Sequence, residues 1–173
     1  MNVGGKHLIA MADVVKAFER AGATDVSTYL QSGNVRFRAT PSDVTSIAAA
    51  ASAALTHRCA APVPVVVRSV EALRRVLAAN PFAGRDPDGA AMHVAFLAEV
   101  PDRARVASLD PARSPGDAFV VVDGDVYLHL PNGVARTKLT NAWLDRTLAT
   151  VSTLRNVRTV RALAADAPAS PGP

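Results

Sequence analysis

Apolar positions along the first half of the chain switch repeatedly between helical and strand spacing. Val14, Val15 and Phe18 share one face of a segment that Gly22 stops, which predicts a helix over Asp13–Ala21. Val26–Leu30 and Val35–Arg38 read as strands about a Ser32-Gly33-Asn34 hairpin turn. Thr40-Pro41-Ser42-Asp43 opens a long alanine-rich helix that reaches about His57, with Thr40 as cap and Pro41 in the first turn. Val63–Val67 reads as a strand, and Ser69 caps a helix that Asn80-Pro81 ends.

The second half repeats that order. Met92–Leu97 is a predicted strand, Asp102–Leu109 a short helix, and Ala118–Val122 with Val126–Leu130 a hairpin about Asp123-Gly124. Leu139–Leu148 reads as a helix, Val151–Leu154 as a strand and Val157–Ala165 as a final helix. Gly33 corresponds to Gly124, and the junction Arg68-Ser69-Val70 to Arg155-Asn156-Val157. These anchors predict an α+β fold, a tandem duplication of a ferredoxin-like (split βαβ) unit. The first unit spans 1–83, a linker 84–90, the second unit 91–166, and a disordered tail 167–173. The first strand of the first unit is missing, which is costly because that strand is central in this topology. A start assigned too far downstream, at Met1, is the plainer explanation.

Four stretches carry a family resemblance: NVGGK (Asn2–Lys6), YLQSGNV (Tyr29–Val35), VYLHLPNGVARTKLTN (Val126–Asn141) and RNVRTV (Arg155–Val160). With NPF (Asn80–Phe82) and HVAFL (His93–Leu97), they occur in the order and spacing of a family that this chain resembles, the bacterial domain-of-unknown-function family 1697. The resemblance implies a tandem ferredoxin-like fold and no particular activity. In that family a strand ending in Arg-Gly precedes the NVGGK stretch, where this chain has Met1.

Composition narrows the function classes. A hydrophobic share of 49% supports a real core and excludes a disordered chain. Net charge is +4, compatible with a phosphate-bearing partner but far from polybasic. Lys6, Lys16 and Lys138 are the only lysines, so arginine carries the positive charge, as suits bidentate anion recognition or a GC-rich genome. The lone Cys59 excludes an internal disulfide and fits a reducing compartment, and no apolar run approaches the roughly 18 residues of a membrane span. A cytoplasmic protein with no membrane partner is the expectation.

The split βαβ topology places loop residues together at the ends of its sheets. In the first unit Asn2, Gly4, Gly5 and Lys6 fall beside Gln31, Ser32 and Asn34; in the second, Arg136, Lys138 and Asn141 fall beside Arg155, Asn156, Arg158 and Thr159. Glycines, amides and cations without a carboxylate suit a phosphate or carboxylate. The same residue types also serve turns and caps, and GGK lacks the full spacing of a P-loop. Alternation turns Met92, Val94, Phe96, Val126, Leu128 and Leu130 inward, leaving His93, Tyr127 and His129 outward on one sheet face. Two histidines without further ligands predict no metal site. Helical spacing places Trp143 in the core.

The leading expectation is therefore binding of a small anionic, phosphate- or carboxylate-bearing ligand at the loop clusters. Alternatives are a nucleic-acid-associated protein, and an enzyme that uses Lys6 or Lys138 with an unidentified cofactor. The residues assemble no nucleophile and base by spacing, so catalysis stays open. Cofactor and oligomeric state are not specified.

Overall fold

The computed structural model describes residues 2–3 and 7–165, the first four of these residue positions by backbone alone. Gly4, Gly5, Lys6 and the expected tail, 167–173, lie outside the described residues. The protein is a mixed α/β chain with antiparallel sheets, and it divides into two compact units between Val67 and Arg68. The segment 68–83, expected with the first unit, belongs to the second, because its helix packs there. Among the described residues no helix is long and apolar enough to cross a membrane.

The first unit begins with two short paired strands, β1 (Asn2–Val3) and β2 (His7–Leu8). Helix α1 (Met11–Arg20) follows, then a hairpin of β3 (Thr24–Tyr29) and β4 (Asn34–Arg38), then helix α2 (Val44–Cys59). Val14, Ala17 and Phe18 of α1 and Ile47, Ala51, Leu55 and Cys59 of α2 are buried together, with Val26, Val35 and Phe37 of the hairpin packed against them. Helix α2 starts later than Thr40, because the Thr40 hydroxyl donates to Asp43 Oδ2 at 2.6 Å instead of capping a helical N–H.

Val63–Val67 is extended coil and not the expected strand, and β4 pairs with β3 alone among the described strands. Pro62 and Pro64 remove backbone donors on both sides of Val63. Helix α2 holds Val63 instead: Ser52 Oγ donates to its carbonyl at 2.7 Å, and its N–H donates to Thr56 Oγ1 at 3.0 Å.

The second unit opens with helix α3 (Val70–Ala78), capped by Ser69, whose hydroxyl accepts from the Ala72 N–H. Strand β5 (Met92–Leu97), helix α4 (Arg103–Ala107), hairpin β6 (Ala118–Val122) and β7 (Asp125–His129), helix α5 (Asn141–Leu148), strand β8 (Ser152–Asn156) and helix α6 (Val157–Ala164) follow. One four-stranded antiparallel sheet results, in the order β6-β7-β5-β8. The hairpin turns at Asp123 and Gly124, with φ of 50° and 85°, the type I′ geometry that Asp-Gly favours. Ala95, Leu97, Val126 and Leu128 pack against Trp143, Leu144 and Leu148 of α5 on one face. The other face carries Phe96 beneath the Arg68 guanidinium (5.5 Å) and His129 against Phe82 (5.9 Å), while α3 packs along α6.

Both faces are covered, so all six residues of β5 are buried, His93 included, and Tyr127 is 2% exposed. This corrects the outward placement of His93 and Tyr127. Met92 pairs with His129 and His93 with Leu128, so the two imidazoles point to opposite faces of the sheet.

Candidate anion-binding site

In the first unit the hairpin places Gln31 and Ser32 at an exposed turn, with Asn34 buried beneath it. The Asn34 side-chain amide donates to the Tyr29 carbonyl at 3.0 Å and to Ser32 Oγ at 2.9 Å. These bonds hold the turn closed, so Asn34 serves the hairpin. Asn2 belongs to β1 by its backbone.

In the second unit the expected cluster separates into three places. Asn156 caps α6: its Oδ1 accepts from the Arg158 N–H at 2.9 Å, and its Nδ2 donates to the carbonyls of Gly89 (3.1 Å) and Ala90 (2.9 Å). Arg158 Nε donates to the Asp88 carbonyl at 2.9 Å, which ties the same loop. Asn141 lies toward the opposite end of β8, where its Nδ2 donates to Ser152 Oγ at 2.8 Å and Ser152 donates to Asp145. The span from Ser152 to Asn156 is about 13 Å at strand rise. Lys138 belongs to the far sheet edge: its N–H donates to Ser114 Oγ and its carbonyl accepts from Arg113 Nε, both in the loop before β6. Arg136 and Lys138 are exposed, and their side chains make no hydrogen bond or ion pair among the described residues. Arg155 is half-buried on β8, with Nη1 donating to Thr153 Oγ1 (2.6 Å) and the Leu154 carbonyl (2.8 Å), and burial pulls its pKa down.

His93 is equally committed. Its Nδ1 lies 3.2 Å from the Ala91 carbonyl and its Nε2 3.4 Å from Asn156 Nδ2, an arrangement met by a neutral ring protonated at Nδ1. Burial lowers its pKa, and the Ala91 carbonyl opposes that change only in part.

The convergent cationic feature is elsewhere, between α1 and α2. The apolar stripe of α1 buries Val14, Ala17 and Phe18, and Asp13, Lys16 and Arg20 border it at helical spacing. Arg58 Nη2 meets Asp13 Oδ2 at 2.7 Å, which brings the last turn of α2 to the first turn of α1. A groove of about 690 Å³ runs between them, lined by Asp13, Lys16, Ala17, Arg20, Ala54, Leu55, His57 and Arg58. It is open because Ala17 of α1 and Ala54 of α2 face it, with no long side chain at either position to fill the space.

Asp13 offsets Arg58, leaving Lys16 and Arg20 as exposed cations whose side chains have no ion-pair partner among the described residues. The helix C-termini favour Arg20, His57 and Arg58 through the backbone dipole, but Lys16 sits within α1 and has no such reason. Sequence reading passed over these residues, although charges at 13, 16 and 20 beside an alanine run form a legible pattern.

No curated protein matches the chain. A solved structure described as "conserved bacterial protein SP0830 from Streptococcus pneumoniae" is similar over 95% of this chain and 92% of that chain, with a TM-score of 0.67 and 20% sequence identity, a likeness of fold alone. The family described as protein of unknown function (DUF1697) matches residues 1–127, and this chain belongs to that family.

Proposed function

We propose that this protein is an anion-binding protein whose principal site is the α1–α2 groove, on a scaffold of two duplicated split βαβ units. The duplication is supported by the β6-β7-β5-β8 order of the second unit and by the matching hairpin–helix order of the first. The exposed loop cations Arg136 and Lys138 form a secondary contact for an anionic ligand.

The observation that carries the proposal is the presence of Lys16 and Arg20 on one wall of a groove whose one carboxylate, Asp13, is already paired. Local charge in the groove is therefore positive and available. Titration of the protein with inorganic pyrophosphate, followed by amide chemical shifts, should move resonances of 13–20 and 54–58. Lys16→Ala with Arg20→Ala should weaken that binding about 30-fold at low salt, since each charge contact contributes on the order of 1 kcal/mol. Unchanged affinity in the double variant would refute the groove as the site. A nucleic-acid partner would instead show affinity falling log-linearly and steeply with salt.

A further inference from the structure

The chemistry of the groove identifies its occupant more closely, and the inference rests on the anion-binding reading above. We propose that the α1–α2 groove docks an acidic amphipathic helix of a partner protein, with an apolar ridge on its floor and carboxylates facing Lys16 and Arg20.

The floor is hydrocarbon: Ala17, Ala54 and Leu55. Lys16 and Arg20 stand with Asp13 on the α1 rim, and His57 stands on the α2 rim with Arg58, which is already paired to Asp13. The lining residues are mostly helical, and helical N–H groups are spent on carbonyls of the preceding turn. At the α1 entry, which Asp13 borders, the N–H groups of Asp13 and Val14 already donate to the Ala10 carbonyl, whereas a small phosphate site draws its strength from free backbone donors. A phosphodiester backbone laid over the floor would lose water without gaining hydrogen bonds. No Phe, Tyr or Trp lines the groove to form a stacking platform, and its one ring, His57, stands on the rim.

A helix with a ridge of small apolar residues meets all three parts of the lining. Small residues on both sides allow helix axes to approach to about 8 Å. Ala50, Ala53 and Ala54 are exposed along α2, so the approach is not blocked. Lys16 and Arg20 are one turn apart, about 6 Å along the axis, and match carboxylates spaced by four residues on the docked helix. Helix-in-groove recognition with charged rims is a recurring mode of docking.

The test uses the full chain and a peptide of about 16 residues, long enough to hold a helix. It carries an alanine–leucine ridge flanked by glutamates. Its comparators are a peptide of the same composition with the ridge scrambled, a duplex DNA of similar length, and inorganic pyrophosphate. The ridged peptide should bind at least about 10-fold more tightly than the scrambled one. Ala54→Leu, which fills the floor at an exposed position and keeps every charge, should remove that advantage and leave pyrophosphate binding within about 2-fold. Arg20→Glu should weaken both peptide and pyrophosphate. Equal binding of ridged and scrambled peptides, tighter binding of the duplex, or indifference to Ala54→Leu would overturn helix docking while anion binding stands. Failure of every anion to bind would overturn both.

Discussion

The two units bury their strands by different means. In the second, helices and the 68–83 segment cover both faces of a continuous sheet, and β5 is buried along its whole length. In the first, α1 and α2 pack on a two-stranded hairpin, and β4 runs from buried at Asn34 to exposed at Arg38. The cores differ accordingly. Trp143, Leu144, Leu148, Leu128 and Leu130 fill the second, whereas alanines at 17, 23 and 51 and the thiol of Cys59 occupy much of the first. Small side chains bury less apolar surface per residue, and the transfer gain scales with that surface. Ala17, with Ala54 of α2, also leaves the groove between α1 and α2 open. Among the described residues, the larger of two cavities, about 690 Å³ against about 370 Å³, belongs to the unit with the smaller core side chains, while strand β5 of the second is covered on both faces.

The largest test of this contrast is Asp125. Its Oδ1 accepts from Arg68 Nη2 at 2.7 Å and from the Leu97 N–H at 3.1 Å, and its side chain is 8% exposed. Arg68 Nη2 also donates to the Leu97 carbonyl at 2.7 Å, so one carboxylate locks the entry of the second unit to two strands. Asp125→Ala removes the carboxylate of the Arg68 ion pair and leaves the buried Leu97 N–H without that acceptor, while Arg68 keeps the Leu97 carbonyl, at a cost on the order of 3 kcal/mol. Trp143 is the only tryptophan and lies in the second core, so its fluorescence reports that unit alone. The urea midpoint read by Trp143 should fall sharply in Asp125→Ala, while chemical shifts of 11–20 in the native protein stay in place. A midpoint within error of the parent would show that the two units are not distinguished by this buried pair.

Tyr127 gives the next effect, again in the second unit. Burial first, then the nearby charges of Asp125 and Asp123, raise its phenol from 10.0 to about 12. The folded state therefore holds the proton more tightly than the unfolded state. The linked stability is full below pH 10 and is lost as pH rises toward 12. The loss is at most about 3 kcal/mol, because a tenfold difference in proton affinity is worth about 1.4 kcal/mol, and screening of the two aspartates by water and salt reduces it. Tyr127→Phe should flatten the alkaline decline of the Trp143-monitored midpoint between pH 10 and 12. An equally steep decline in that variant would assign it to other groups.

Much of this architecture is legible in the residues, and the exceptions have physical causes. Asp123-Gly124 and Ser32-Gly33-Asn34 announce their hairpins because few residue types tolerate positive φ. Val63–Val67 has strand-like valines, yet Pro62 and Pro64 disrupt its ladder and Ser52 and Thr56 take its backbone. His93 misleads because alternation assumes one wet face, while the nearly unbroken apolar run Met92–Leu97 is what a doubly covered strand requires. Site residues were harder still. Asn34, Asn141 and Asn156 have the residue type of an anion site, but their amides are spent on a turn, on Ser152 and on the 89–90 loop. Asn34 is spent within its own hairpin, whereas the partners of Asn141 and Asn156 lie 11 and 66 residues away, where local spacing does not show them. The groove cations sit in two helices whose juxtaposition follows only from packing.

The smallest effect on stability separates loop cations from loop amides. Arg136 and Lys138 project from a loop whose fold depends on other atoms. The Lys138 backbone bonds Ser114 and Arg113, Thr137 Oγ1 accepts from the Leu139 N–H, and Thr140 Oγ1 accepts from the Trp143 N–H at the start of α5. Truncating the two exposed side chains leaves every one of those bonds in place. Arg136→Ala and Lys138→Ala should therefore shift stability by no more than about 0.5 kcal/mol, the range of ordinary surface substitutions. Pyrophosphate binding at low salt should weaken slightly, and less than in the Lys16 and Arg20 variants, because an open loop holds an anion against full solvent screening. The melting temperature and the pyrophosphate affinity measured on the same preparations decide the matter. A melting temperature lowered by many degrees would make these cations structural parts of the α5 entry and remove the secondary contact from the proposal. An affinity loss larger than that of Lys16→Ala with Arg20→Ala would move the principal site from the first unit to the second.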